Sequence, residues 1–231
     1  MEHIKTNFEE IETRINAAVK RANRRPENIT FVGVSKTVSL AEIDYAAALG
    51  VKVFGENKAQ ELLKKHGQTA LPADWHFIGH LQTNKVKQII TKAAMIESVD
   101  SERLAREIGR CAVQEGIVME ILAEINIAEE PQKYGVSPDR ALSFVKEISQ
   151  IEGICVKGLM CVAPFVDSPE KNRPFFIKMR NLLVDISAKT GDNVSMEHLS
   201  MGMTGDYEPA IEEGATIIRV GTGLFGERTR Y

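Results

Sequence analysis

The chain has 231 residues, 43% hydrophobic and 26% charged, a globular composition that excludes wholesale disorder and fibrous repeats. With 29 basic and 32 acidic residues the net charge is −3, which argues against a nucleic-acid partner, because such binding draws its affinity from neutralised phosphates. The three cysteines, Cys111, Cys155 and Cys161, form no CxxC pair, so a disulfide framework and a thiolate zinc site are not expected, and a cytoplasmic location is. No apolar run approaches the roughly 20 residues of a membrane span, and the N-terminus lacks the apolar stretch of a secretory signal.

The chain opens on an amphipathic helix within residues 1–25. Ile4, Phe8, Ile11, Ile15 and Val19 recur at helical spacing. Its end is basic, with Lys20, Arg21, Arg24 and Arg25 ahead of Pro26. Cations at a helix C-terminus followed by a proline stop are ordinary; an anionic-lipid or nucleic-acid patch is the sharper alternative.

From residue 29 onward, short β-branched runs alternate with helical patterns. Strands are predicted over 29–35, 51–55, 75–80, 95–99, 119–127, 154–161, 195–200 and 216–221. Helices are predicted over 40–49, 58–66, 84–91, 102–115, 139–150, 169–189 and 207–213. Eight strands separated by helices imply parallel pairing, and the count favours a closed (β/α)₈ TIM barrel in the α/β class, with an open doubly wound sheet as the structural alternative. No linker or repeat interrupts the pattern. One domain is expected over 1–231, with the helix in 1–25 and the barrel across 29–231.

In a barrel the chemistry sits where the strands end. The first strand ends at Ser35-Lys36-Thr37. Val32, Val34 and Lys36 alternate on one face, so an amine stands over apolar barrel layers, where partial desolvation disfavours its charged form. A neutral amine can condense with an aldehyde; a lysine reaching into solvent is the plainer reading. Ser200-Met201-Gly202 and Gly221-Thr222-Gly223 fall where barrels build phosphate sites, although ordinary tight turns look the same. Lysine and glycine turns together describe a pocket for a phosphorylated aldehyde, for which pyridoxal 5′-phosphate is the obvious candidate. Arg219 precedes Gly221 by two residues on one strand face. There it either donates to a cofactor's pyridine nitrogen or pairs with a carboxylate such as Glu197.

At these residues the chain resembles the pyridoxal phosphate homeostasis protein family. The matching stretches are Val34-Ser35-Lys36, Val53-Phe54-Gly55-Glu56-Asn57, residues 75–85, Gly158-Leu159-Met160, Leu199-Ser200-Met201-Gly202-Met203, Asp206 and Arg219-Val220-Gly221-Thr222-Gly223. The resemblance implies a barrel of the alanine racemase N-terminal domain type, with Lys36 carrying the cofactor as an internal aldimine. It also implies Ser200, Met201, Gly221, Thr222 and Gly223 around the phosphate, Arg219 at the pyridine nitrogen and Asn57 near the ring. Many bacterial members of the family it resembles carry a second lysine close after the cofactor lysine; here the nearby residue is the hydrophobic Val38.

The implied role is non-catalytic. The protein binds, stores or hands over pyridoxal phosphate, with pyridoxal-phosphate-dependent apoenzymes as recipients, and keeps the free cofactor in check. An amino-acid racemase is the alternative, but such an enzyme takes a second acid/base from a further domain, and the chain stops ten residues after Gly221. The same missing domain makes a monomer the expected state.

Lesser signals sit beside these. His76 and His80 lie in a strand pattern with no evident third metal ligand, so no metal is expected. The loop Glu129-Glu130-Pro131-Gln132-Lys133-Tyr134-Gly135 reads as a surface turn, or, by resemblance to a lysine in the family's loop, as a lid or a secondary cofactor contact through Lys133. Residues 164–174 form a second rim loop able to gate the mouth. Asp206 reads as a helix cap.

Overall fold

The structure, a computed structural model, describes residues 1–190 and 194–227. The expected barrel span of 29–231 therefore passes through two short segments outside the described residues.

Among the described residues eight strands close a parallel barrel in sequence order. They are β1 Thr30–Val34, β2 Val53–Glu56, β3 Asp74–Phe77, β4 Met95–Val99, β5 Met119–Glu124, β6 Ile154–Met160, β7 Val194–Met203 and β8 Ile217–Val220. Closure pairs β8 with β1, setting Val32 opposite Arg219. It thereby removes both sheet edges, and the open-sheet alternative falls.

The helices follow the sequence pattern closely. They are α1 Glu2–Arg21, α2 Leu40–Leu49, α3 Ala59–Lys65, α4 Val86–Ile89, α5 Glu102–Glu115, α6 Ala141–Ile148, α7 Arg173–Ser187, α8 Tyr207–Glu212 and α9 Thr222–Phe225. Three predicted helices start as 3₁₀ turns, at Thr83–Lys85, Pro138–Arg140 and Pro169–Asn172, because prolines or a missing cap tighten the first turn. Helix α2 is closed at both ends by its sequence. Ser39 and Glu42 form a reciprocal capping box, and Gly50 ends the helix in the left-handed region.

Two apolar layers set the mouth in place. Inside the barrel Val32, Met95, Leu122, Met160 and Ile217 pack together beside Val53 and Val162, a plug of the kind that makes a barrel interior solid. Outside, a larger core joins the sheet to the helices. Helix α1 buries Ile4, Phe8, Ile11, Ile15 and Val19 against α2, α8 and α9. Its basic end is used internally. Arg21 pairs with Glu208 and Glu212, and Arg24 donates to the carbonyls of Ile211 and Ala215, both at 2.7 Å. These contacts favour the ordinary reading of that cationic stretch.

Strand β7 is longer than its pattern. It runs through Ser200, Met201 and Gly202 to Met203, with its register against β8 shifting between Ser200 and Met203. Gly202 takes φ +92°, and a Cβ there would meet the Cβ of Ala210 at 2.6 Å, so only glycine lets the strand bend over α8. The first of the two predicted glycine turns is thus an irregular strand.

Candidate cofactor site at the barrel mouth

Barrel closure makes the ends of β7, β8, β1 and β2 consecutive around the mouth. Lys36 and the Gly221–Gly223 turn therefore leave adjacent strands rather than facing each other across the opening.

On the β3, β4, β7 and β8 side a buried polar chain lies above the apolar plug. Glu97, fully buried at the centre of β4, accepts from His76 Nδ1 at 2.6 Å and from Ser200 Oγ at 2.6 Å. Arg219 Nη1 donates to Ser200 Oγ and stands 3.7 Å from Glu97 Oε2. Arg219 Nη2 donates to the Cys161 carbonyl at 2.7 Å. Burial raises the Glu97 carboxyl, but the His76 hydrogen bond and the nearby charges of His76 and Arg219 outweigh it and hold the group below the usual carboxylate range. A buried guanidinium needs such a partner. The carboxylate predicted for Arg219, Glu197, is instead exposed and 3.7 Å from Lys157.

Glu124 ends β5 on the same interior face and is nearly buried. Burial, aided by Asp100 and opposed by Arg219, pushes its carboxyl up to about 7. Burial likewise pushes the Cys161 thiol up to about 12, which leaves it a poor nucleophile.

After β8, Thr222 opens the four-residue helix α9. Its Oγ1 donates to Thr204 Oγ1 at 3.3 Å, and the Gly223 N–H donates to the same oxygen at 3.2 Å. A Cβ on Gly223 would meet Thr204 Cγ2 at 2.9 Å and Val220 Cγ1 at 3.0 Å, so the turn stays narrow only with glycine there. Met201 is wholly buried in the outer core, which leaves its side chain no part in the mouth.

Lys36 occupies a turn just past β1 and is exposed, contrary to the desolvation expected from strand alternation. The strand ends at Val34, and the alternation stops with it. Asn57 directly follows β2, and its Oδ1 is buried with no hydrogen-bond partner. An orphaned buried acceptor beside the lysine turn, together with the bare glycine turn, fits a polar ligand at this mouth.

The remaining expectations resolve locally. His80 lies past the end of β3, 3.2 Å from Asp100, and stacks on Tyr134 with ring centroids 3.8 Å apart. Lys133 pairs with Glu130 at 2.6 Å and reaches the Ala163 carbonyl at 3.2 Å, so it ties two rim loops together. The Asp206 side chain makes no bond to the N–H groups of its own helix. It accepts instead from Met203 N and Asn172 Nδ2, both at 2.7 Å. Cys111, Cys155 and Cys161 are free. No described helix is long and apolar enough to cross a membrane.

Sequence reasoning missed Glu97, Glu124, Thr204 and Lys65. A carboxylate inside an otherwise apolar strand run is the signal that marks the first two.

A parallel eight-stranded barrel with a lysine and a glycine turn at neighbouring strand ends defines the class to which comparison with known proteins leads. The alanine racemase N-terminal domain model matches residues 6–229. A relative from Aquifex aeolicus, named pyridoxal phosphate homeostasis protein, is 44% identical over 216 residues, covering 93% of this chain and 94% of its own. Among solved structures, an unknown protein from Bifidobacterium adolescentis superposes with TM-score 0.90 at 34% identity, covering 97% of this chain and 95% of its own. PipY of Synechococcus elongatus PCC7942, solved with PLP bound, gives TM-score 0.84 at 28% identity, covering 96% of this chain and all of its own. The chain belongs to the pyridoxal phosphate homeostasis protein family, within the alanine racemase N-terminal domain fold.

Proposed function

We propose that this protein binds pyridoxal 5′-phosphate at the barrel mouth and serves its homeostasis by holding and releasing it, without turning over a substrate. The observation that carries this reading is the PLP-bound relative whose whole length this chain matches, joined to the name of the 44% identical relative.

The bound cofactor supplies an aldehyde, with which the Lys36 amine condenses, losing water, to form a reversible C=N link. The Lys36 turn presents that amine to the mouth, unpaired among the described residues. Thr222, Thr204 and the Gly221–Gly223 backbone hold the phosphate, and Gly223 keeps that turn narrow enough for its N–H groups to approach an anion. Arg219, fixed by Glu97, Ser200 and Cys161, faces the pyridine nitrogen and keeps it unprotonated. Asn57 Oδ1 accepts from the ligand beside the ring. Ser200 lies beneath this surface: its hydroxyl is already engaged by Glu97 and Arg219, so its part is to hold the arginine, and Met201 offers only its backbone. The protein works in the cytoplasm as a monomer and passes the cofactor to apoenzymes that depend on it. The free cysteines support a reducing compartment. The racemase alternative is disfavoured by the names of the relatives.

The test is a titration of the purified protein with pyridoxal phosphate, followed by borohydride reduction and peptide mapping. A yellow protein whose reduced adduct maps to Lys36 supports the reading. A protein left colourless by the vitamer, or an adduct undiminished in Lys36→Ala, overturns it. Exchange of an amino acid's α-hydrogen with D₂O at enzymatic rates overturns the non-catalytic part.

A further inference from the structure

We infer that Glu61 and Lys65 of α3 are positioning residues that fix the Lys36 turn in its reactive orientation; the inference rests on the function proposed above. Their hydrogen bonds land on the residues either side of Lys36. Lys65 Nζ donates to the Ser35 carbonyl at 2.7 Å, and Glu61 Oε2 accepts from the Thr37 N–H at 2.7 Å. The two side chains are one helical turn apart and pair at 3.3 Å.

Thr37 shows why the turn needs holding. It sits at φ +61°, in the left-handed region, where a β-branched residue is strained and persists only when its surroundings impose it. The Glu61 carboxylate on its N–H supplies that constraint. Burial raises the Glu61 carboxyl, but the Thr37 N–H and the Lys65 ammonium outweigh it and keep the acid ionised.

A deeper layer holds the bracket itself. Lys65 is almost buried and donates to Glu56 Oε1 at 2.7 Å, which also accepts from Ser35 Oγ at 2.6 Å. Glu56 is fully buried at the end of β2. Ser35, Glu56, Lys65 and Glu61 thus form a continuous chain under the turn, whereas the Lys36 ammonium has no hydrogen bond or ion pair among the described residues. The bonds that reach the turn from α3 end on Ser35 and Thr37, and the Lys36 amine itself is left free among the described residues. When that amine adds to an aldehyde, the C–N bond forms and the carbonyl oxygen leaves as water with no change in oxidation state. The bracket sets the approach of the nitrogen, and it holds the amine in place before the ligand arrives.

The experiment compares wild type, Glu61→Ala, Glu61→Gln and Lys65→Met in two measurements. One is the rate of borohydride-fixable adduct formation on Lys36 with pyridoxal phosphate. The other is the affinity for pyridoxine 5′-phosphate, which has no aldehyde and reports binding alone. Glu61→Ala is expected to slow adduct formation about ten-fold while leaving pyridoxine phosphate affinity unchanged. Glu61→Gln, which keeps an acceptor for Thr37, restores most of the rate. Lys65→Met leaves Glu56 unpaired and destabilises the fold, so the side chain of Glu61, partly open to solvent, carries the decision. An unchanged rate in Glu61→Ala overturns the inference, as does an equal loss of rate and affinity, which marks a general structural role. Wild-type protein that forms no adduct on Lys36 overturns the functional reading and this inference with it.

Discussion

The two sides of the mouth are built in opposite ways. On the side of β3, β4, β7 and β8, His76, Glu97, Ser200 and Arg219 are buried and bonded to one another. On the side of β1, β2 and α3, the buried chain of Ser35, Glu56 and Lys65 lies below, and Lys36 stands above it in solvent. Under the proposed function, the difference teaches that one side serves recognition. There a charge must be in place before the ligand comes, and burial makes each hydrogen bond stronger and its loss more costly. Under the same reading the other side serves reaction, with a hydrogen-bonded base and a Lys36 amine unpaired among the described residues.

Lys36→Ala gives the largest expected effect. It abolishes the borohydride-fixable adduct, read by mass spectrometry, while thermal stability stays close to wild type, because the side chain is exposed and unpaired among the described residues. A large fall in melting temperature breaks the division between the two sides.

Glu97→Leu comes next. It strands Arg219 as an uncompensated buried cation, with an expected loss of about 3–5 kcal/mol in denaturant unfolding. A loss below about 1 kcal/mol, the scale of exposed ion pairs, places the arginine in solvent and removes its fixed aim.

Glu124 adds a pH dependence to the buried side. Its folded value of about 7 lies above the ordinary carboxyl value of 4.5. Between these values the folded protein holds a proton that the unfolded chain releases, so stability falls as pH rises through that window. The full span corresponds to at most about 3 kcal/mol. Glu124→Gln is expected to melt higher than wild type at pH 8 and to match it near pH 4. Equal melting temperatures at pH 8 contradict the burial argument.

Ser39→Ala is the smallest change. It removes the hydroxyl of the α2 capping box, with an expected cost of about 1 kcal/mol. Adduct formation on Lys36 stays at the wild-type rate, because the turn is held from α3 rather than from α2. A slowed rate shifts the support of Lys36 from α3 to its own loop.

Much of the barrel was legible because β-branched runs such as Thr30–Val34 and Ile217–Val220 alternate with amphipathic helices, and α2 and α5 end where Gly50 and Gly116 require. Lys36, Arg219 and the last glycine turn stood out because strand ends in a barrel converge. Glu97 was not legible in its role: it lies in the strand Met95–Val99, and its partners are 21, 103 and 122 positions away in the chain (His76, Ser200, Arg219). Only closure brings them together. Lys65 lies inside the predicted helix 58–66 with nothing to set it apart, since a sequence does not say which side chain turns inward. Ser200-Met201-Gly202 read as a turn because glycine marks turns and strand bends alike. Thr204 carried no pattern at all.

A crystal structure of this protein grown with pyridoxal phosphate tests the central claim most directly. The account predicts continuous density from Lys36 Nζ into the cofactor, its phosphate against Thr222 and Gly223, and Arg219 at the ring nitrogen. Lys36 turned to solvent, with the vitamer bound elsewhere or not at all, contradicts it.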